Sequence, residues 1–293
     1  MNTGKTVFAQ LMSFIPEYEL KKCIDRYQGD YRVRNFTCRE HFNVMSFAQL
    51  TGRESLRDIE SCLIAFSSKL YHSGMKTPAA RNTLAKANEN RDWRIYADFA
   101  QILIKKARSL YFRDNDFRLD IDNMVYAFDS STINLCLSLF PWAKFHHQKG
   151  AVKMHTLLDL RGSIPVFIHL TDGSVHDVNA LDSLLIEPAA FYLMDKGYVD
   201  FYRLFNLIHV KRAFFVTRAK DNMAYQVEDN FEVDKDAGLI SDQSIRLTGV
   251  KSSKLYPDNI RLVVYEDYAT NNVYHFLTNN FELSALTIAE LYR

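Results

Sequence analysis

The N-terminal third of the chain follows a helical pattern of apolar and polar positions. Thr37 and Glu40 have the spacing of a capping box, and apolar residues then recur at helical intervals until Gly52. Ser55 is placed to cap a second helix that starts directly after this turn. The pattern predicts two short helices over 38–65, with the spacing of a helix-turn-helix.

Two uses of this helix pair are open. In a helix-turn-helix one helix enters the DNA major groove and the other braces it, and Arg53 and Arg57 are then the expected DNA contacts. A helical hairpin that merely packs within a bundle has the same pattern.

The following segment reads as a connector and then as a helix. The polar stretch over 72–91 predicts a loosely ordered connector. From Trp93, aromatic and aliphatic residues at helical spacing predict a long helix that ends near Phe112, with these aromatics in the core. We predict a helical DNA-binding region over 1–75 and a helical connector over 76–118.

From about residue 119 the period changes to that of strands. Three consecutive strands come first, the last two of which are separated by a turn at 160–163, and helices and strands then alternate. The predicted strands are 125–128, 152–159, 165–170, 191–194 and 213–217, and the predicted helices are 178–185, capped by Asp177, and 200–208. This order predicts an α+β or α/β protein with a ribonuclease H-like core, a mixed five-stranded sheet flanked by helices, over 119–218.

Two of the predicted strands end on an aspartate. Asp129 closes the first strand and Asp195 the fourth, and these strands are neighbours in the predicted sheet. Two carboxylates at the carboxyl edge of a sheet can bind divalent metal for phosphodiester chemistry, usually with a third carboxylate that completes the site. We therefore predict that Asp129 and Asp195 are catalytic metal ligands.

The charge is unevenly distributed, although the net charge of the 293 residues is +1. Residues 1–113 carry 19 Lys and Arg against 11 Asp and Glu, whereas the remainder carries 17 against 24. A basic first part next to an acidic body favours a polyanion partner for the former and a carboxylate site in the latter. A chance difference between two ordinary domains would look the same.

Several protein classes are disfavoured by the composition. The N-terminus lacks the pattern of a signal peptide, and no apolar run reaches the length of a membrane span, so we expect a cytoplasmic protein. The cysteines show neither close pairing nor zinc-site spacing, which favours reduced thiols over disulfides or zinc. These cysteines are Cys23, Cys38, Cys62 and Cys136.

Five separate words of the sequence form a recognisable set in this order. They are Ala-Phe-Asp-Ser-Ser-Thr over 127–132, Lys-Met-His-Thr-Leu-Leu-Asp-Leu-Arg-Gly over 153–162, His-Asp-Val-Asn-Ala-Leu over 176–181, Met-Asp-Lys-Gly-Tyr over 194–198 and Val-Thr-Arg-Ala-Lys over 216–220. Together they resemble the DDE transposases of bacterial insertion sequences. The chain is most similar to the branch whose third acid lies in a Tyr-x-x-Arg-x-x-x-Glu-x-x-x-x-x-x-Lys motif.

This resemblance implies a cut-and-paste transposase. Such an enzyme binds the terminal inverted repeats of its element, nicks double-stranded DNA with Mg²⁺ or Mn²⁺, and joins the freed 3′ ends to target DNA as a homodimer, with no organic cofactor and no membrane partner. The element commonly leaves through a hairpin intermediate in this branch. An RNase H-like nuclease unrelated to transposition is disfavoured, because the words include regions away from the metal site.

The resemblance also implies roles for particular residues. Asp129 and Asp195 match the first two catalytic acids, and residues 219–275 match a β-rich insertion before the third. Arg218 and Lys220 lie where family members contact DNA near the cut. Lys153 is a further predicted DNA contact, whereas its neighbour His155 is expected to be packed in the sheet. Some relatives trap a flipped base with an aromatic residue of the insertion, for which Tyr256 is a candidate.

The third motif is present only at its start. Tyr292 matches its opening Tyr, but the family Arg and Glu would fall at positions 295 and 299, beyond Arg293. We therefore expect 276–293 to begin a truncated C-terminal core helix and the polypeptide to be inactive or impaired alone. The nearest substitutes are Glu282 and Glu290, and Glu290 is expected on the helix surface. The alternative function is that of a truncated DNA-binding competitor of intact transposase.

Overall fold

The computed structural model describes residues 5–111, 121–135, 144–146 and 149–292. The chain divides into two compact units, residues 1–106 and residues 107–293. No helix in these ranges is long and apolar enough to cross a membrane. Cys23 and Cys38 are buried free thiols and Cys62 is a partly buried one, while Cys136 lies outside the described residues.

The first unit is helical. Its buried residues form two clusters, one around Leu63 and Leu84 and the other around Cys38 and Phe99. A 3₁₀ helix covers Ser67–Ser73. The α-helices are α1 (Val7–Met12), α2 (Glu17–Arg26), α3 (Cys38–Leu50), α4 (Leu56–Ala65), α5 (Arg81–Asn90) and α6 (Arg94–Tyr111), the last of which runs on into the second unit.

The predicted pair of helices is confirmed as α3 and α4, with the predicted caps. Thr37 Oγ1 accepts a hydrogen bond from Glu40 N at 3.2 Å, and Glu40 Oε2 accepts one from Thr37 N at 3.0 Å. Ser55 Oγ accepts from Asp58 N at 3.1 Å. Gly52, in the turn between them, has a φ of +65°, which glycine adopts without steric cost.

Two predictions for the first unit are wrong. The polar stretch over 72–91 contains α5, because Leu84 and Ala87 supply a buried helical stripe among its polar residues. Trp93 is 71% exposed and precedes α6, because Asp92 accepts a hydrogen bond from Arg94 N at 3.0 Å and the helix starts there.

The second unit is built on a mixed sheet, for which ten strands lie in the described ranges. The strands are β1 (Val125–Leu135), β2 (Lys144–His146), β3 (Lys149–Asp159), β4 (Ile164–Asp172), β5 (Phe191–Met194), β6 (Phe214–Arg218), β7 (Tyr225–Phe231), β8 (Leu239–Leu247), β9 (Ile260–Asp267) and β10 (Asn272–Thr278). They follow the order β2-β3-β1-β5-β6-β10-β9-β8-β7, and β4 also pairs with β3.

The predicted five strands form one block of this larger sheet. In the block β4-β3-β1-β5-β6, β3 is antiparallel to β1 and β4, while β5 is parallel to β1 and β6. The prediction of only five strands is wrong, because β10 pairs antiparallel with β6 and so joins the strands of 219–275 to the same sheet. The segment expected to be β-rich, 219–275, contains β7, β8, β9 and the start of β10.

Strand β1 is longer than predicted, so Asp129 does not end it. The parallel pairing with β5 stops at Phe128, but β3 continues to pair with β1 from Tyr126 to Leu135. The ladder on that side satisfies the backbone groups beyond Asp129, so the strand goes on. Asp129 is therefore the first residue of β1 that lacks a partner on β5.

The helices of the second unit are short. The predicted helix over 178–185 is a 3₁₀ helix at Asp177–Ser183. Asp177 does not cap it, because its carboxylate accepts a hydrogen bond from Ser130 Oγ and forms an ion pair with Lys153 instead. The remaining helical segments are Lys196–Tyr198 (3₁₀), α7 (Phe201–Arg203), which continues as a π-helical segment Leu204–His209, α8 (Ser252–Leu255) and α9 (Ala285–Tyr292).

The core of this unit lies on both faces of the sheet. Alternate strand residues point to opposite faces. Val125, Leu193 and Val216 pack on one face with α9, mainly through Ile288. Residues such as Phe128, Met194 and Leu204 form the cluster on the other face.

Candidate functional site

The structure brings the two predicted catalytic aspartates together. Phe128 of β1 is the register partner of Met194 of β5 in a parallel pair. Asp129 and Asp195 directly follow these two residues, so they lie next to each other where the pairing ends. Adjacent strands lie about 4.8 Å apart. Because Phe128 and Met194 point to one face, both aspartates belong to the opposite face, on which α9 packs.

Two further side chains hold Asp195 in place. Thr217 of β6 is the register partner of Met194, which places Arg218 beside Asp195. Arg218 Nε donates to Asp195 Oδ1 at 2.8 Å, and its Nη2 donates to the same oxygen. Tyr292, at the end of α9, donates from Oη to that oxygen at 3.4 Å, and its ring lies 6.0 Å from the Arg218 guanidinium carbon.

The surroundings of Asp195 favour the ionised form of its carboxylate. Burial raises the pKa of Asp195, but the hydrogen bonds and the positive charge of Arg218 outweigh it, so the pKa lies below its ordinary value. Asp129 is exposed, and no residue in the described ranges donates a hydrogen bond to its carboxylate. Burial raises the pKa of the nearby Tyr198 to about 12, and the charges of both aspartates act in the same direction.

The donor set fits part of a divalent metal site. Carboxylate oxygens are the ligands that Mg²⁺ prefers, and the Asp129 carboxylate is exposed and has no hydrogen-bond donor in the described ranges. However, the described residues hold no group of three or more His, Cys, Asp or Glu that could bind a metal ion. Glu282 and Glu290 are both exposed, and Glu290 lies on α9 as expected.

The predicted DNA contacts Arg218 and Lys220 line a cavity of 620 Å³ together with the acidic residue Asp221. Lys196 and the aromatic residues Tyr225 and Tyr274 also line it. Lys220 Nζ donates to the backbone carbonyl of Val199 at 2.8 Å. Positive charges and aromatic rings in one cavity suit a nucleic-acid strand.

Lys153 lies elsewhere. It shares the sheet face of Phe128, opposite the aspartate pair, because it is the register partner of Thr132. Its ammonium group donates to Val175 O at 2.8 Å and lies 3.2 Å from Asp177, and its side chain is 12% exposed. The structure therefore does not bring Lys153 together with Asp129 and Asp195.

Two other residues of the second unit are buried. His155 has no exposed surface, donates to or accepts from Thr171 Oγ1 at 3.0 Å, and stacks near Phe128, so its predicted packing is confirmed. Tyr256 is also fully buried, among Phe205 and Phe215. The suggestion that Tyr256 traps a flipped base is wrong, because a strand of DNA cannot reach its ring.

In the first unit, the predicted contacts Arg53 and Arg57 differ in their surroundings. The Arg53 guanidinium donates to Thr51 O at 2.7 and 3.0 Å and lies 3.4 Å from Asp58. Arg57 is exposed on α4, and no hydrogen bond or ion pair of its side chain lies within the described ranges. The guanidinium of Arg53 is thus already bonded within the turn between α3 and α4.

Two contributors to the site were not recognised in the sequence. Tyr198 belongs to the word that contains Asp195, but its proximity to Asp129 depends on the pairing of β1 with β5. Arg161 Nη2 donates to three backbone carbonyls, which holds the segment that leads into β1. These acceptors are Ile121 O at 3.0 Å, Asp122 O at 2.6 Å and Asn123 O at 3.0 Å. A conspicuous Leu-Arg-Gly turn was the available signal, but carbonyl acceptors are invisible in a sequence.

Comparison with known proteins adds two family matches. Residues 121–293 match the family described as Transposase DDE domain, and residues 3–76 match a domain of unknown function, DUF4372.

Two relatives carry transposase names. The chain is 32% identical over 214 residues to a putative transposase from Sinorhizobium fredii. The matched residues make up 72% of this chain and 57% of that protein. It is also 26% identical over 294 residues to a protein from Geobacillus stearothermophilus that is named a probable transposase for an insertion sequence element. This match covers 100% of this chain and 74% of that protein. The chain thus spans just over half the length of the first relative.

Proposed function

Because the chain belongs to the Transposase DDE domain family, we propose that it supplies the first two catalytic acids of a transposase, which binds the terminal inverted repeats of an insertion sequence, cleaves DNA there and joins the ends to target DNA. The observation that carries this proposal is the position of Asp129 and Asp195, at matching places on adjacent parallel strands. Two carboxylates on one face of a rigid sheet are suited to metal-assisted phosphodiester chemistry.

In this proposal Asp129 and Asp195 would hold Mg²⁺ or Mn²⁺, whose chemistry would be to activate a water or 3′-hydroxyl and to stabilise the leaving oxygen. Arg218 and Tyr292 position the Asp195 carboxylate through their hydrogen bonds to Oδ1. Lys220, with Lys196, places positive charge along the cavity in which a DNA strand would pass.

We also propose that the Glu of the third family motif, which would fall at position 299, completes the metal site. The support is the match of Tyr292 to the opening Tyr of that motif, together with the finding that the described residues hold no group of three or more His, Cys, Asp or Glu that could bind a metal ion. A polypeptide of residues 1–293 is then expected to bind element ends without cutting them. The same observation favours a second candidate function for this polypeptide, that of a DNA-binding competitor of a complete transposase dimer.

The test uses the inverted-repeat DNA of the element and the codons that follow position 293. The 1–293 polypeptide is expected to shift this duplex in a gel and to give no cleavage product with Mg²⁺. A polypeptide extended through the downstream codons is expected to cleave, if they encode the Arg, Glu and Lys of the third motif.

Substitutions distinguish a catalytic role of the two aspartates from a general effect of losing a carboxylate. Asp129→Asn and Asp195→Asn are each expected to abolish cleavage by the extended polypeptide, while Asp229→Asn, at an exposed position of β7, leaves it unchanged. Efficient Mg²⁺-dependent cleavage by the 1–293 polypeptide would contradict the external third carboxylate. Cleavage that survives Asp129→Asn would overturn the catalytic assignment itself.

A further inference from the structure

A basic loop of the first unit contains none of the DNA contacts that the sequence predicts. The loop, residues 27–36, joins α2 to α3 and lines a cavity of 720 Å³ together with Thr83, Lys86 and Asn90 of α5. We propose that this basic loop surface binds the phosphate backbone of duplex DNA. The proposal rests on the proposed function, since it names where the first unit contacts DNA.

The loop is fixed to the helices behind it. The Arg91 guanidinium donates to the backbone carbonyls of Gly29 and Phe36, near the two ends of the loop, and its side chain is 12% exposed. Asp30 accepts a hydrogen bond from Cys38 N at 2.7 Å and lies 3.7 Å from Arg91. Because both ends are held, the outer side chains are presented with little ordering left to occur on binding.

The backbone of the loop has a specific shape. Gln28 and Arg32 have φ values of +51° and +58°, in the left-handed region that residues with a Cβ rarely adopt. A Cβ at Gly29 would lie 2.5 Å from Ile95 Cδ1 and 2.8 Å from Cys38 Sγ, so the chain passes directly over the core there. Such conformations persist where the surrounding contacts determine them, and they are frequent at ligand sites.

Three cations of this surface are uncompensated. The side chains of Arg32, Arg34 and Lys86 are exposed, and none forms an ion pair or hydrogen bond with any residue that the structure describes. The Arg32 guanidinium lies over the ring of Tyr31 at 5.1 Å, and Tyr31 is itself 66% exposed. Positive charges without partners around one cavity attract a polyanion.

The nearby acids do not neutralise these cations. Asp30 is engaged by Arg91 and by the Cys38 amide. Asp92, which lines the cavity, accepts hydrogen bonds from Arg94, and these lower its pKa. The positive potential of the basic loop surface is therefore available to a ligand.

The chemistry of the lining points to a nucleic-acid backbone. Amide and hydroxyl groups of Asn35, Thr83 and Asn90 accompany the cations, and these residue types contact phosphate and sugar oxygens. In contrast, Arg53 in the turn between α3 and α4 is already bonded to Thr51 O and close to Asp58. Contacts of the phosphate type position the protein on DNA without selecting a sequence.

The test measures binding of the full 1–293 chain to a short fluorescent DNA duplex of arbitrary sequence by anisotropy. The triple variant Arg32→Gln, Arg34→Gln, Lys86→Gln is expected to bind at least about tenfold more weakly, and the slope of log affinity against log salt is expected to fall by about 2.7. A control variant removes three exposed lysines of the same unit, Lys21→Gln, Lys69→Gln and Lys76→Gln, and is expected to bind within about twofold of wild type.

Each outcome distinguishes the two proposals. If the wild-type chain binds DNA and the triple variant binds it equally well, the proposal that the basic loop surface binds DNA is overturned and the proposed function stands. If the wild-type chain binds no DNA, both are overturned. If the double variant Arg53→Gln, Arg57→Gln loses more DNA affinity than the triple variant, the main contact lies at the turn between α3 and α4 and the proposal is overturned. If the chain binds single-stranded RNA more tightly than duplex DNA, the duplex is not the ligand. Circular dichroism establishes that each variant is folded.

Discussion

At the residue scale, the contact between Arg218 and Asp195 has two consequences for the acidic site. The guanidinium positions the carboxylate, but it also supplies the positive charge that a divalent cation would supply. Both side chains are partly exposed, 38% for Arg218 and 44% for Asp195, so water screens their attraction. At the proposed metal site, the ion pair with Arg218 would therefore compete with a metal ion for the Asp195 carboxylate.

Arg218→Gln is therefore expected to raise the affinity of the 1–293 chain for Mn²⁺. The gain should be roughly two- to fivefold, the size of a partly exposed ion pair. Electron paramagnetic resonance of free Mn²⁺ measures it without any need for DNA cleavage. Arg246→Gln is the matched control, because Arg246 pairs with Glu228 at 3.8 Å on the insertion. An unchanged or lower affinity for Arg218→Gln would contradict the competition.

His41 predicts a pH dependence of stability in the first unit. Its imidazole is buried and bonded to Tyr96 Oη at 2.8 Å and Asn88 Oδ1 at 2.7 Å. Burial lowers the pKa of His41 below its ordinary 6.5, although the Asn88 hydrogen bond acts in the opposite direction. The unfolded chain then binds more protons than the folded chain below about pH 6.5, so stability is present above that pH and lost as the pH falls.

The opening free energy of α3 is expected to fall by at most about 1.4 kcal/mol between pH 7.5 and 5.5. Hydrogen exchange of peptides from α3 measures it. His41→Asn should lower the stability at pH 7.5 but flatten its pH dependence, whereas His72→Asn, at an exposed position, should change neither. An equally steep fall in His41→Asn would show that another group titrates.

Single residues were predictable where the signal is local. The caps at Thr37 and Ser55 follow from residue type and spacing, and both are confirmed. The partners of Arg218, Lys153 and Arg161 were not predictable, because each side chain reaches an acceptor that lies more than 20 residues away along the chain. A sequence shows that a cation is present but not whether a carboxylate or a carbonyl has already taken it.

At the element scale, α9 connects the core to the acidic site. Ile288 is fully buried against the sheet, and Tyr292 at the end of the same helix donates to Asp195. Packing of the helix therefore determines where Tyr292 lies. The strand order of the core could be predicted from the period of the sequence, but the extra length of β1 could not, since it depends on how far β3 continues beside it.

Ile288→Ala is expected to destabilise the second unit by about 2 to 4 kcal/mol, because it leaves a cavity under α9. Glu290→Ala, on the exposed side of the same helix, should change the stability by less than about 0.5 kcal/mol. Urea unfolding measures both. Equal effects of the two substitutions would mean that α9 does not pack on the sheet through Ile288.

At the scale of the whole molecule, the sheet and the charge distribution differ in how well they could be predicted. Residues 219–275 could be expected to form strands from their local pattern, but their junction with the core is a pairing of β10 with β6 across about 60 residues of chain. Such long-range register is not encoded in a local period. The charge asymmetry, in contrast, is a property of the sequence itself, with the basic excess in residues 1–113.

That asymmetry has a consequence for DNA binding. Phosphates repel the two carboxylates of Asp129 and Asp195 unless a cation neutralises them. Adding Mg²⁺ is therefore expected to tighten the binding of an end duplex by the wild-type 1–293 chain beyond the usual weakening by salt. The double variant Asp129→Asn, Asp195→Asn should show only that weakening, and in EDTA it should bind as tightly as wild type or more tightly.

Anisotropy titrations at constant ionic strength measure this Mg²⁺ response, with the double variant Asp25→Asn, Asp229→Asn as the control at two exposed positions. A Mg²⁺ response that persists in the double variant would place the cation elsewhere on the protein or on the DNA, and the two aspartates would then have no part in holding it.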